Sequence, residues 1–287
     1  MPELPEVETI ARGVDARVRG DWIVDVWFGS HREPFKTPPA RQAEGLRGRH
    51  IIAVHRTGKH IVVELGSLSV ERAKRKDAQE NTAEIAAQWI VHLGMTGRLL
   101  VTTPEADVAK HTHARLTLAS GRELRFVDQR RFGRLEFRDL RKGLGFAGPG
   151  AEPLTIEAEA FAALFRGRKL AIKAALLNQK LLSGVGNIYA DESLFHAGIR
   201  PRRRAGRLTH AELEKLRGAL RKVLEHAIRL GGSSVSDYVD AEGVRGFFQL
   251  EHCVYQRTGD PCPRCGNAIK RIVVAGRSTH YCAHCQR

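Results

Sequence analysis

Apolar positions in the chain change period twice. Val7, Ile10, Ala11, Val14 and Val18 recur at helical spacing behind Pro5, which suits a helix start, so the chain opens with an amphipathic helix. From residue 22 the period becomes two. WIVDVWF (22–28), HIIAVHR (50–56), HIVVEL (60–65), QWIVHLG (88–94), RLLVT (98–102), HARLTLA (113–119), RELRFVD (122–128) and GRLEFRD (133–139) each read as a strand. Many short strands with turn signals between them predict an antiparallel sandwich or barrel. The polar run VERAKRKDAQENTAE (70–84) interrupts them and is expected to be a surface insertion.

RKGLGFAGPGAEPL (141–154) is rich in Gly and Pro and reads as a linker. Beyond it the period is helical. One helix is expected from a Thr155 cap to about Phe165, a second over AIKAALLNQ, and a third after the glycines of SGVGNIYADESLFHAG, ending at Gly198. The fourth, THAELEKLRGALRKVLEHAIRLGG, carries a Thr209–Glu212 capping box and a glycine stop. Leu213, Leu216, Leu220, Val223, Leu224 and Ala227 form its apolar stripe. The pattern gives an α+β multidomain chain: residues 1–140 an N-terminal helix plus antiparallel β-sandwich, 141–154 a linker, 155–250 a helical domain and 251–287 a cysteine-bounded module.

Composition adds a partner class. Lys and Arg number 47 against 32 acids, a formal net charge of +15, so the surface attracts polyanions and nucleic acid is the expected partner. No apolar run is long enough for a membrane span. The opening lacks a signal-peptide pattern, so a cytoplasmic protein is expected. Four of the five cysteines lie in the last 26 residues, as Cys262-Pro-Arg-Cys265 and Cys282-Ala-His-Cys285. Two such pairs complete a closed tetrahedral zinc site, with no position left for water, so one structural Zn2+ is expected. Cys253 is left over and reads as a small buried residue. IKRIVVAGRSTHYC between the pairs reads as a hairpin turning near Ala275-Gly276. Arg277 then sits at or near its tip, either as a phosphate or minor-groove probe or as an ordinary solvated side chain.

Other motifs carry two readings each. SGVGN (183–187) is an anion cradle at a helix N-terminus, with Asn187 as an added donor, or a plain tight turn. Lys173, Lys180 and RPRRRAGR (200–207) continue a positive face or are solvated charges. DQRRFG (128–133) suits insertion into a base stack, or holds Phe132 in the core with its arginines outside. Met95 in HLGMTG (92–97) is a wedge or a core filler.

The opening MPELPEVE poses a sharper question. If Met1 is removed, Pro2 presents a secondary amine. An α-amino group titrates near about 8, against about 10.4 for lysine, so more of it is free base near neutrality. A nearby helix start lowers that further. A secondary amine attacking an aldehyde-level carbon gives an iminium, an electron sink suited to attack at a sugar C1′, and Glu3 is placed to move protons. Helix capping and first-turn charge account for Pro5, Glu6 and Glu8, but not for Pro2.

MPELPEVE, RTGKH, HLGMTG, RRFG, SGVGNIYADESLFHAGI and the four-cysteine module, in this order over nearly the whole chain, resemble the formamidopyrimidine-DNA glycosylases. The resemblance implies a bifunctional repair enzyme acting on damaged double-stranded DNA, monomeric and associated with the bacterial nucleoid. Such an enzyme excises 8-oxoguanine and formamidopyrimidines, then cleaves the abasic strand by β- and δ-elimination. It implies a helix-two-turn-helix fold for the helical domain and a zinc finger at the C-terminus. By position, Pro2 resembles the Schiff-base nucleophile, Glu3 the proton-transfer acid and Lys59 the catalytic lysine of the sheet domain. Asn187 and Arg277 resemble the phosphate clamp, with His92 and Lys173 as further DNA-binding residues. Met95, Arg131 and Phe132 match the residues that fill the space left by a flipped nucleotide.

The sister family, endonuclease VIII, acts on oxidised pyrimidines and is similar too, but usually carries Gly where Leu4 stands here. A non-enzymatic zinc-ribbon DNA-binding protein is the third reading. Three departures from the glycosylase pattern are Gln129 where proline is expected, Val244-Arg245 where some relatives carry Lys-Pro in the segment 233–248, which resembles the family's loop over the flipped base, and the longer 70–84 insertion.

Overall fold

The computed structural model describes residues 1–31, 34–68, 84–234, 240–241 and 243–287. The 70–84 insertion, Glu84 apart, lies outside the described residues, as do 235–239 and 242 of the 233–248 segment. Two compact units are present. The first comprises Met1–Pro2, Glu6–Ala147 and Ser234–Gly246; the second comprises Glu3–Pro5, Gly148–Ser233 and Phe247–Arg287.

The opening helix α1 (Leu4–Val18) buries the expected stripe: Val7, Ile10, Ala11, Val14 and Val18 all enter the first unit's core. All eight expected strands form: β1 (Ile23–Phe28), β2 (Arg49–Thr57), β3 (His60–Leu68), β4 (Ala87–His92), β5 (Arg98–Thr102), β6 (Thr112–Leu118), β7 (Glu123–Val127) and β8 (Arg134–Asp139). They pair into two four-stranded antiparallel sheets, in the orders β1-β6-β7-β5 and β2-β3-β4-β8. One apolar core joins Val26, Leu99, Leu116 and Phe126 of the first sheet to Ile51, Val63, Trp89 and Leu135 of the second. Alternation along each strand turns these side chains to a common interior, as a sandwich requires.

A short helix the hydrophobic pattern did not announce, α2 (Pro39–Leu46), follows β1. Its sequence PARQAEGL is polar, and it is fixed by hydrogen bonds rather than by an apolar stripe. Buried Gln42 donates to the Thr37 carbonyl (2.7 Å) and accepts from the Trp89 indole N–H (3.1 Å), so the polar edge of a buried tryptophan is satisfied.

In the second unit, α3 spans Ala158–Phe165 with Glu157 as its N-cap. The expected Thr155 cap is displaced because Glu152-Pro153-Leu154-Thr155 forms a turn, with Pro at its second position and Ile156 N–H donating to the Glu152 carbonyl (3.0 Å). The next helix, α4, is only Ile172–Leu176. It ends early because Asn178 turns the chain, its side-chain oxygen accepting from Lys180 N–H (3.1 Å). Helix α5 (Asn187–Ala197) stops at Gly198, which adopts the left-handed C-cap conformation (φ 71°). Helix α6 (His210–Arg229) has the full capping box, and its six expected stripe residues are all buried. The terminal hairpin pairs β9 (Lys270–Val274) with β10 (Arg277–Tyr281) and turns at Ala275-Gly276, both with positive φ.

Thr209→Ala removes the side-chain acceptor at the start of α6. Urea unfolding should register a loss of about 1 kcal/mol, with an unchanged slope.

Candidate active site and nucleic-acid interface

In the first unit, two loop tips are pressed together backbone to backbone. Gly94 has φ 62°, and a side chain there would meet the Phe132 carbonyl carbon and the Gly133 nitrogen at 2.5 Å. The Asp128 carboxylate fastens both tips: it accepts from the Thr96 hydroxyl (2.6 Å), from Arg130 N–H (3.2 Å) and from Gly133 N–H (2.7 Å). This brings Met95, Arg131 and Phe132 to adjoining positions. Met95 (41% exposed) and Phe132 (48% exposed) stand out from the surface, so the core-filler reading of both fails. Arg131 adopts a left-handed backbone (φ 57°), and its guanidinium donates to His31 Nδ1 (3.1 Å). Arg130 stacks over the Phe132 ring at 4.7 Å.

His92 closes the HLGMTG turn from below, its Nδ1 accepting Gly94 N–H (3.2 Å). Burial, then the neighbouring His60 and Lys59 charges, hold its pKa down at about 4, so the ring is neutral near pH 7. His92, His60, Lys36, Phe132 and Arg134 border a cavity of about 300 Å3. Lys59 follows Gly58 (φ 61°) in the two-residue turn of the β2–β3 hairpin and is buried. Pro2 is buried as well.

In the second unit, the glycine loop is neither an empty cradle nor a plain turn. Glu3 occupies it. The Glu3 carboxylate accepts from Ile188 N–H (3.2 Å) and Tyr189 N–H (3.5 Å), in the first turn of α5. Leu4 N–H donates to the Gly184 carbonyl (3.0 Å). A side chain at Gly186 would meet the Glu3 carboxyl carbon at 2.1 Å, so only glycine leaves Glu3 its seat.

Asn187, the first residue of α5, donates to the Ser278 carbonyl (2.9 Å), immediately after Arg277. Asn187 and exposed Arg277 are therefore brought together. Lys173 is not at the surface at all. Its ammonium is fully buried, paired with Asp191 (2.6 Å), and donates to the Ser278 carbonyl and the Thr279 hydroxyl (both 2.8 Å). Burial lowers its pKa, against the raising effect of Asp191. The other Asp191 oxygen accepts His280 N–H (2.8 Å). The motif AIK gave no sign of this partner, because Asp191 lies on another helix.

The four cysteines converge. Cys262 and Cys285 sulfurs lie 3.9 Å apart, Cys265 and Cys282 sulfurs 3.5 Å apart, and all four fall within 4.8 Å of one another. Arg264 N–H and Cys285 N–H point at the Cys262 and Cys282 sulfurs (3.4 and 3.5 Å), the arrangement that stabilises thiolates around a metal. Four sulfurs in this geometry fit one structural zinc.

The chain matches, in order, the formamidopyrimidine-DNA glycosylase N-terminal domain (residues 1–135), the H2TH domain of the same enzymes (148–239) and the zinc finger found in FPG and IleRS (259–287). It belongs to the formamidopyrimidine-DNA glycosylase family. A Solibacter usitatus member is 44% identical over the full length of both chains, and a Corynebacterium jeikeium member 39% identical, also over both full lengths. A crystallised Lactococcus lactis FPG mutant in complex with Fapy-dG-containing DNA superimposes with a TM-score of 0.84 at 32% identity, covering all of both chains. The Lactococcus lactis Fpg complex with abasic-site DNA gives the same score over 99% of each. As in other formamidopyrimidine-DNA glycosylases, the described fold joins an N-terminal helix and antiparallel sheets to a helical domain and a zinc finger. Among the described residues, no helix is long and apolar enough to cross a membrane.

Lys173→Ala would leave the Asp191 charge buried without its partner. Chemical denaturation should show a loss of about 3–5 kcal/mol. Lys173→Arg, whose longer and forked head does not fit the same enclosed site, should recover only part of it.

Proposed function

We propose that the protein is a DNA glycosylase and abasic-site lyase of base excision repair, acting as a monomer on oxidised purines in duplex DNA. The observation that carries this reading is the seating of Glu3. A buried carboxylate held by the first N–H groups of a helix gives the residue joined to Pro2 a defined seat, which supports Pro2 as the attacking amine in this reading. With Met1 removed, that nitrogen adds to C1′ as the damaged base departs with a proton. The sugar ring opens, and the resulting iminium draws electrons from C2′. Loss of the C2′ proton expels the 3′ phosphate, and a second elimination expels the 5′ phosphate. Glu3 moves the proton at the sugar, and Lys59 supplies one close to the lesion.

The remaining residues have binding roles in this reading. Met95, Arg131 and Phe132 enter the stack where the nucleotide leaves, offsetting an extrusion cost of a few kcal/mol. Exposed apolar side chains on a doubly fastened loop pair suit that role and add nothing to folding. Asn187 and Arg277 hold a phosphate, and His92 donates to another through Nε2. Lys173 serves binding from within, by fixing the hairpin that presents Arg277. Zinc braces the same hairpin from its other end.

Borohydride reduction in the presence of abasic duplex should join the processed protein covalently to DNA through its N-terminal peptide, as read by mass mapping. Absence of an adduct would remove the lyase chemistry and favour a DNA-binding role alone. Excision from duplexes holding 8-oxoguanine or thymine glycol, measured side by side, should favour the purine; the reverse would favour the pyrimidine-directed sister activity. Gly186→Ala should lower single-turnover nicking by about 100-fold or more, the scale of a misplaced proton-transfer group, while the four-cysteine finger keeps its zinc.

A further inference from the structure

Helix α5 carries a second group of metal-type donors, away from the four-cysteine finger. Glu192 and His196 stand four residues apart on one face of the helix. Cys253, expected to be merely buried, is half-exposed, and its sulfur lies 3.8 Å from His196 Nε2. One donor atom from each of Glu192, His196 and Cys253 falls within 4.8 Å of the others. His196 and Cys253 line a cavity of about 810 Å3, together with Phe248, His226, Lys222 and Arg229.

We propose that Glu192, His196 and Cys253 form a second zinc-type site, with three protein ligands and a fourth position open to the cavity. Carboxylate, imidazole and thiolate together suit zinc, and a three-ligand set leaves room for water or an anion. Tetrahedral zinc with bonds of about 2.0–2.3 Å holds its donors roughly 3.4–3.8 Å apart, so the present spacing closes with small side-chain movements.

Each ligand has a free donor electron pair. Glu192 Oε1 is occupied by Val254 N–H (3.0 Å) and Tyr255 N–H (2.8 Å). Among the described residues, Oε2 takes only Cys253 N–H (3.0 Å), which leaves it one lone pair. These bonds also hold the Cys253 backbone against the carboxylate. For His196 to bind through Nε2, its proton must sit on Nδ1, which then stops accepting from Arg264 Nη2. That contact, at 3.4 Å, is the longest of those Arg264 makes here; it keeps the carbonyls of Phe195 (3.1 Å) and His196 (3.3 Å) and the Phe195 ring. Burial, and then the Glu192 charge, push the Cys253 thiol up to about 11. Zinc would displace the thiol proton on binding.

The site is independent of the repair reading. Protein with its finger loaded is dialysed against micromolar zinc, and bound metal per chain is counted. Wild type should reach two zinc ions, with the second protecting Cys253 from alkylation. His196→Ala, which alters an exposed side chain, and Cys253→Ser should each weaken the second ion by at least about tenfold while keeping the first. One ion per chain at saturation, or a second ion undisturbed in His196→Ala, would overturn the proposal, whichever way the DNA assays fall.

Discussion

The Lys173–Asp191 pair is the constraint on which the second unit's surface depends. Two charges fully withdrawn from water are costly unless every donor and acceptor is met. Here the remaining bonding capacity goes to the β9–β10 hairpin: the ammonium to the Ser278 carbonyl and the Thr279 hydroxyl, the carboxylate to His280 N–H. The pair thus sets the position of three consecutive hairpin residues. Arg277 precedes them directly, and Asn187 shares the Ser278 carbonyl. A surface arginine with a long flexible stem gains a defined origin from a charge it never touches.

The first unit solves the same problem with an acid and two glycines. Asp128 bonds both loop tips, and Gly94 and Gly133 let their backbones meet without side chains between them. What projects from so tight a base is Met95, Arg131 and Phe132. A rigid support makes apolar exposure affordable in one place, where mobile loops would bury the same side chains in their own core. The left-handed conformation of Arg131 belongs to this arrangement. It is uncommon for a residue with a side chain, and it persists because the surrounding bonds leave no alternative.

Much of this was legible in the residues. Period-two alternation located all eight strands, and the spacing of Thr209 and Glu212 located the start of α6, because these signals are local. The cysteine pairs were equally plain, since two ligands from one turn must lie close. Long-range satisfaction was not legible. Helix α2 rests on Gln42 meeting Trp89, 47 positions away. Lys173 read as a surface charge because nothing near it announces Asp191. The glycine loop read as a cradle for an outside anion, whereas the anion is Glu3 from the start of the chain, 185 residues from its helix partner Ile188. Cys253 read as inert filler because its neighbours Glu192 and His196 lie about sixty positions earlier.

That last span at the start of the chain bears on biosynthesis. Glu3 and Leu4 are made about 180 residues ahead of Gly184, Ile188 and Tyr189. Throughout that interval Glu3 lacks the α5 N–H donors and Leu4 its Gly184 acceptor. A chain that stops before residue 184 therefore lacks both the carbonyl that Leu4 bonds and the N–H groups that seat Glu3.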